Sequence, residues 1–133
     1  MAKRILVVDD NIANLKLASD MCEWEGYTVD RAVHAEAALD AIAGNTPDLI
    51  LMDLALPGMD GLELTRLLRG RESTRDIPVV ALTAFAMKVD EERAMEAGCD
   101  AFVPKPIDTR VLPGMLAEIL SRSRLTRLAL PAA

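Results

Sequence analysis

Short apolar runs alternate along the whole chain with longer segments of helical period, the pattern of a parallel sheet covered by helices on both faces. Ile5–Val8, Tyr27–Val33, Leu49–Met52, Val79–Leu82 and Ala101–Val103 read as five strands. After the first, Leu15, Leu17, Ala18, Met21 and Cys22 fall near one face of a helix that ends around Gly26. A short helix over Ala35–Ile42 is closed by Gly44, and Thr46-Pro47 leads into the third strand. Leu56-Pro57-Gly58 signals a turn before a helix with Leu62, Leu64, Leu67 and Leu68 on its apolar stripe. Met87–Ala97 carries many charges and few large apolar residues, so this helix is expected to be the most exposed and least firmly held, and Gly98 stops it. The last helix runs to about Ser121 with Leu112, Met115, Leu116, Ile119 and Leu120 inward. Proline disfavours helical geometry at the residue before it, so the regular part is expected to start at Pro113.

A chain of 133 residues, 51% apolar and 27% charged, is an ordinary globular domain that can build a core without disulfides or a structural metal. Cys22 and Cys99 are far apart and read as reduced, buried thiols. The net charge of −6 and only four aromatic residues, Trp24, Tyr27, Phe85 and Phe102, argue against direct DNA binding. The apolar run after Met1-Ala2-Lys3-Arg4 is too short for a signal peptide or a membrane span, so a cytoplasmic protein is expected. Residues 1–121 form the expected domain. Residues 122–133 stand apart, because Arg122, Arg124 and Arg127 leave −9 for everything before them and alternate with Leu125, Leu128 and Leu130. This short basic tail is either a frayed end or an amphipathic extension that docks on a partner or a second copy.

In an open parallel sheet, chemistry gathers at the carboxyl ends of the strands. Asp9 and Asp10 close the first strand and Asp53 closes the third, so neighbouring first and third strands would bring three carboxylates together. Asp10 or Asn11 alone would equally suit a helix cap. Three carboxylates need more, because two like charges ~4 Å apart repel by about 4 kcal/mol at an effective dielectric of ~20. An oxygen-only cluster favours Mg²⁺ or Mn²⁺. Thr83 after the fourth strand and Lys105 after the fifth add a hydroxyl and an ammonium, which suits a phosphoryl group with one carboxylate left as nucleophile. Singly, Thr83 reads as structural and Lys105 as a solvated charge; their joint placement carries the reading.

Five ordered segments then make the chain resemble a CheY-like receiver domain of two-component response regulators over residues 3 to about 121. They are Ile5-Leu6-Val7-Val8-Asp9-Asp10-Asn11, Pro47-Asp48-Leu49-Ile50-Leu51-Met52-Asp53, Leu56-Pro57-Gly58-Met59-Asp60-Gly61, Pro78-Val79-Val80-Ala81-Leu82-Thr83-Ala84 and Phe102-Val103-Pro104-Lys105-Pro106. The resemblance implies a three-layer, doubly wound (βα)5 flavodoxin-like fold. It implies that Asp53 accepts a phosphoryl group from a histidine kinase or a histidine phosphotransfer protein. Mg²⁺ would bind Asp10, Asp53 and the Ala55 carbonyl, with Asp9 acting through water, and Thr83 and Lys105 would bind the phosphoryl oxygens. A cis peptide before Pro106 would aim Lys105 into the pocket. Phe102 would be the switch aromatic that turns inward as Thr83 moves, its alternative being plain core packing, and the fourth helix, fifth strand and last helix would form the output face. Ala55 and Phe85 flank the path of a hydrolytic water and would lengthen the life of the phosphorylated state.

The expected role is a signalling module rather than an enzyme, acting on a downstream protein target and open to phosphorylation-dependent homodimerisation. A phosphatase of the haloacid dehalogenase type would need an acid two residues after the nucleophile, where this chain has Ala55. An inactive scaffold would not need the complete acidic pocket. His34, the only histidine, is expected to start the second helix rather than to donate phosphate.

Overall fold

The structure, a computed structural model, describes residues 2–84 and 88–122. Strands and helices alternate: β1 (Arg4–Val8), α1 (Ile12–Trp24), β2 (Thr28–Ala32), α2 (Ala35–Gly44), β3 (Leu49–Asp53), α3 (Gly61–Arg69), β4 (Val79–Thr83), α4 (Lys88–Ala97), β5 (Ala101–Pro104) and α5 (Leu112–Ser121). The strands form one parallel sheet in the order β2-β1-β3-β4-β5. This is the doubly wound α/β architecture expected from the periodicity.

Side chains alternate across the sheet and build two cores. Ile5, Val7, Leu49, Leu51, Val80 and Leu82 face α1 and α5. Leu6, Val8, Ile50, Met52, Val79 and Ala81 face α2, α3 and α4. β3 and β4 are buried throughout, which is why they read as unbroken apolar runs. Cys22 and Cys99 are both free and buried.

The helix starts follow local chemistry. The Asn11 side chain caps α1 by accepting from the Asn14 N–H, Asp60 caps α3 through the Glu63 N–H, and His34 caps α2 by accepting from the Ala37 N–H at Nδ1, 3.0 Å. His34 therefore starts the second helix, as expected. α4 buries only Ala94 and Ala97, in keeping with its polar composition.

Several boundaries and one facing differ from the sequence reading. Gly44 is the last residue of α2 instead of lying beyond it, and the chain leaves the helix at Asn45. α5 begins at Leu112, one residue before Pro113. Its first turn is held by the Asp108 carbonyl, which accepts from the Val111 and Leu112 N–H groups, while the N–H that proline lacks would have had no partner inside the helix. β2 is shorter by one residue at each end, Thr28–Ala32, while β1 gains Arg4, β3 gains Asp53, β4 gains Thr83 and β5 gains Pro104. Leu17 sits on the outer face of α1, because two residues from Leu15 is more than half a helical turn.

The Lys105–Pro106 peptide is cis. No helix among the described residues is long and apolar enough to cross a membrane. Of the basic tail, residues 123–133 lie outside the described residues, as does Phe85.

Candidate functional site

The sheet order reverses direction between β1 and β3, and the site lies at that switch point. Val8 and Met52 are register partners, so Asp9 and Asp53, each the next residue, emerge side by side at the carboxyl edge. Asp10 follows at the mouth. One oxygen from each of Asp9, Asp10 and Asp53 lies within 4.8 Å of the others, with Asp9 and Asp53 buried and Asp10 exposed. On the other flank of β3, Asp53 is in register with Leu82, which puts Thr83 one residue beyond. Thr83 pairs with Pro104 on β5, and its carbonyl accepts from the Lys105 N–H at 2.7 Å. The sheet thus delivers residues from four strands to one edge.

One cation within the site offsets part of its negative charge. The Lys105 ammonium donates to Asp9 Oδ2 at 2.8 Å and lies 3.5 Å from Asp53 Oδ1. Backbone N–H groups hold the carboxylates in place: Asn11 N–H donates to Asp9 Oδ1 at 2.9 Å, and Ala55 N–H donates to Asp53 Oδ1 at 3.1 Å. Burial pushes the Asp53 carboxyl above its ordinary value, Asp9 adding to the rise while the Ala55 N–H and the Lys105 ammonium oppose it. One Lys105 cannot compensate three carboxylates. The all-oxygen set, with a span that brings three oxygens within reach of one centre, fits a hard divalent cation such as Mg²⁺.

Beside the carboxylates, a hollow of about 160 Å³ is lined by Leu54, Ala55, Leu62, Thr83, Asp90 and Arg93. Ala55 is exposed at its rim and presents no ionisable side chain. Phe102, register partner of Ala81, is half-buried against the α2–α4 core. It also lines a separate groove with Pro104, Pro106, Val111, Leu112 and Met115. His34 lies at the start of α2, apart from the carboxylate cluster.

The structure therefore brings Asp9, Asp10, Asp53, Thr83 and Lys105 to one edge. Sequence reasoning did not find the role of Gly61. A Cβ there would meet the Asp53 carbonyl oxygen at 2.5 Å and Leu54 Cα at 2.8 Å, so the start of α3 lies directly on the backbone that carries Asp53. Only the position of Gly61 at the end of its motif could have hinted at this, since a close approach between segments leaves no periodic trace.

Comparisons with known proteins agree with this arrangement. A curated relative, the polar-differentiation response regulator DivK of Brucella ovis, is 49% identical over 107 residues, 80% of this chain and 87% of the relative. The receiver domain of a sensor histidine kinase from Pseudomonas aeruginosa PAO1, solved with a magnesium ion coordinated in its active-site cleft, superposes with a TM-score of 0.84 at 32% identity. That match covers 92% of this chain and all of the other. A CheY-like response regulator receiver domain protein from Methanospirillum hungatei JF-1 gives a TM-score of 0.83 at 32% identity over 91% of this chain and 95% of its own. The family model of the response regulator receiver domain matches residues 5–117, a span that encloses every carboxylate of the cluster as well as Thr83 and Lys105. The chain belongs to the response regulator receiver domain family of two-component systems.

Proposed function

We propose that Asp53 accepts a phosphoryl group from a phosphohistidine on a histidine kinase or a histidine phosphotransfer protein, and that the modified domain signals by binding a protein target. The observation that carries this reading is the convergence of three carboxylates, one ammonium and one hydroxyl at a single sheet edge. Asp53 is the nucleophile because it sits between the two flanking groups, with Asp9 and Asp10 on the β1 side and Thr83 on the β4 side. Asp10, Asp53 and the Ala55 carbonyl would hold Mg²⁺, Asp9 acting through water. When bound, the ion neutralises the carboxylates and the oxygens of the transferred group.

Transfer forms the bond from an Asp53 oxygen to phosphorus as the bond to the donor nitrogen breaks. The Lys105 ammonium would leave Asp9 for the new phosphoryl oxygens, and the Thr83 hydroxyl would donate to another. Movement of Thr83 makes room for Phe102 to turn inward, and burial alone holds that state because the ring carries no hydroxyl. The surface of α4, β5 and α5 then changes, and a downstream protein or a second copy reads it. Ala55 offers no polar group to orient a hydrolytic water, which favours a long-lived acyl phosphate; the matching expectation for Phe85 lies outside the described residues. The same alanine removes the acid that a haloacid dehalogenase-type phosphatase would need. The module is a phosphoacceptor and at most a weak catalyst of its own labelling and hydrolysis, and its setting is the cytoplasm.

Incubation with acetyl phosphate and Mg²⁺ followed by intact-mass measurement tests the assignment. One added phosphoryl group is expected in the wild type and none in Asp53→Ala. Equal labelling of the two, or labelling that persists in excess EDTA, would overturn it.

A further inference from the structure

Arg93 is a cation at the functional edge that the phosphoacceptor chemistry leaves without a task. It stands on α4, three residues after Asp90, and both line the hollow of about 160 Å³ together with Leu54, Ala55, Leu62 and Thr83. The walls of that hollow belong largely to the neighbours of Asp53. Leu54 and Ala55 follow Asp53 in the chain, and Thr83 follows Leu82, the register partner of Asp53. Arg93 thus shares one small space with residues on two sides of the acceptor.

Electrostatics leave this guanidinium uncommitted. Opposite charges three residues apart on a helix can meet, yet Asp90 and Arg93 form no ion pair, and no side-chain partner holds Arg93 among the described residues. Lys105 is in the opposite condition, engaged with Asp9 at 2.8 Å and lying 3.5 Å from Asp53. Among the described residues lining the hollow, Arg93 is the only cation. A phosphoryl group on Asp53 would bring negative oxygens toward the wall formed by Ala55 and Thr83. A planar guanidinium with several N–H donors matches such oxygens in charge and in shape. α4 buries only Ala94 and Ala97, so little packing opposes a shift that carries Arg93 to them.

We propose that Arg93 is a further phosphoryl-binding residue, its guanidinium closing across the hollow onto oxygens of the group that a small anionic donor delivers to Asp53. The inference rests on Asp53 being the acceptor. It gives the phosphoryl group a cation from α4 besides Lys105, while Asp90 opposes that contact from the same hollow. With acetyl phosphate as donor, the bond from the Asp53 oxygen to phosphorus forms as the bond from phosphorus to the acetyl oxygen breaks. Acetate leaves with that electron pair, and Arg93 neither gains nor loses a proton.

The initial rate of labelling is measured by intact mass against acetyl phosphate concentration at fixed Mg²⁺. The slope is compared for wild type, Arg93→Gln, Arg93→Lys and Asp90→Asn. Arg93 is exposed, so its variants should keep the fold, which circular dichroism checks. Arg93→Gln is expected to lower the slope about fivefold, the scale of one exposed charge pair, and Arg93→Lys to restore most of it. Asp90→Asn should raise the slope by removing the opposing anion, and added salt should draw the four slopes together. Equal slopes for wild type and Arg93→Gln would overturn the proposal. Arg93→Lys as slow as Arg93→Gln would also overturn it, by assigning the loss to shape rather than charge. A wild type that takes no label, or labels no faster than Asp53→Ala, would instead bring down the acceptor assignment, and this inference with it.

Discussion

Lys105 and Asp9, 96 residues apart, meet at 2.8 Å at the carboxyl edge of the sheet, and no other cation is shown within ion-pair distance of Asp9 or Asp53 among the described residues. Asp9 is 1% exposed and Asp53 3%, so this one ammonium offsets charge that water barely reaches. Lys105→Ala is expected to destabilise the metal-free protein by about 3 kcal/mol, because it leaves buried carboxylates uncompensated. Mg²⁺ should restore part of the loss. Urea denaturation with and without Mg²⁺ measures both; a variant as stable as the wild type without metal would refute the charge argument.

Phosphorylation separates a second role for the same residue. Lys105→Ala should still accept phosphate at Asp53 but transmit it poorly, since it removes the ammonium that would tie the phosphoryl group to β5 while leaving the Lys105 N–H bond to the Thr83 carbonyl in place. Partner affinity or dimerisation is measured before and after labelling. An equal response in variant and wild type would remove Lys105 from the coupling.

Divalent cation binding should appear as added stability. At a hundredfold excess over its dissociation constant, Mg²⁺ is expected to stabilise the wild type by about 2.7 kcal/mol. Asp10 is exposed, so Asp10→Ala should keep the fold and lose most of this increment. Thermal melts with Mg²⁺ and with EDTA provide the readout, and an undiminished Mg²⁺ increment in the variant would exclude Asp10 as a ligand.

Gly61 should tolerate no side chain. With backbone atoms of Asp53 and Leu54 at 2.5 and 2.8 Å from an added Cβ, Gly61→Ala must displace either α3 or the end of β3. A stability loss of about 1–3 kcal/mol is expected. Labelling of Asp53 by acetyl phosphate should slow as well, because its carboxylate moves with that backbone. Unchanged stability and labelling rate would show that the contact relaxes freely.

Cys22 provides a pH test away from the site. Burial pushes its thiol up to about 12, with Glu23 and Glu25 adding to the rise. An unfolded thiol titrates near ~8.5, so between that pH and about 12 the unfolded chain has released a proton the folded chain keeps. Stability contributed by the neutral thiol is therefore complete at neutral pH and falls as pH rises through this window. The wild type should lose stability more steeply there than Cys22→Ala, as followed by denaturant midpoints. Parallel pH profiles would contradict it.

The amino-acid pattern by itself determined the order of elements and the layers they form. Runs such as Leu49–Met52 are apolar at every position, as suits a short strand buried on both faces, and capping groups such as Asn11 and His34 act within three residues of themselves. Acidic residues at Asp9, Asp10 and Asp53 pointed to a cation and a phosphoryl acceptor because like charges are not gathered without cause. Tertiary structure decided what local pattern cannot encode. Leu17 reads as apolar and inward, yet it turns outward because α1 touches the sheet along one narrow face only. Arg69 looks like a surface charge at the end of α3, but it donates to the carbonyls of Ile77 and Gly98 at 2.7 and 2.9 Å and pairs with Asp100 at 3.0 Å. Gly61 shows the same limit, since its need for hydrogen in place of a Cβ arises from a segment that arrives at 2.5 Å. Each of these depends on where a distant stretch of backbone comes to rest, and side-chain periodicity records only which face of its own element a residue occupies.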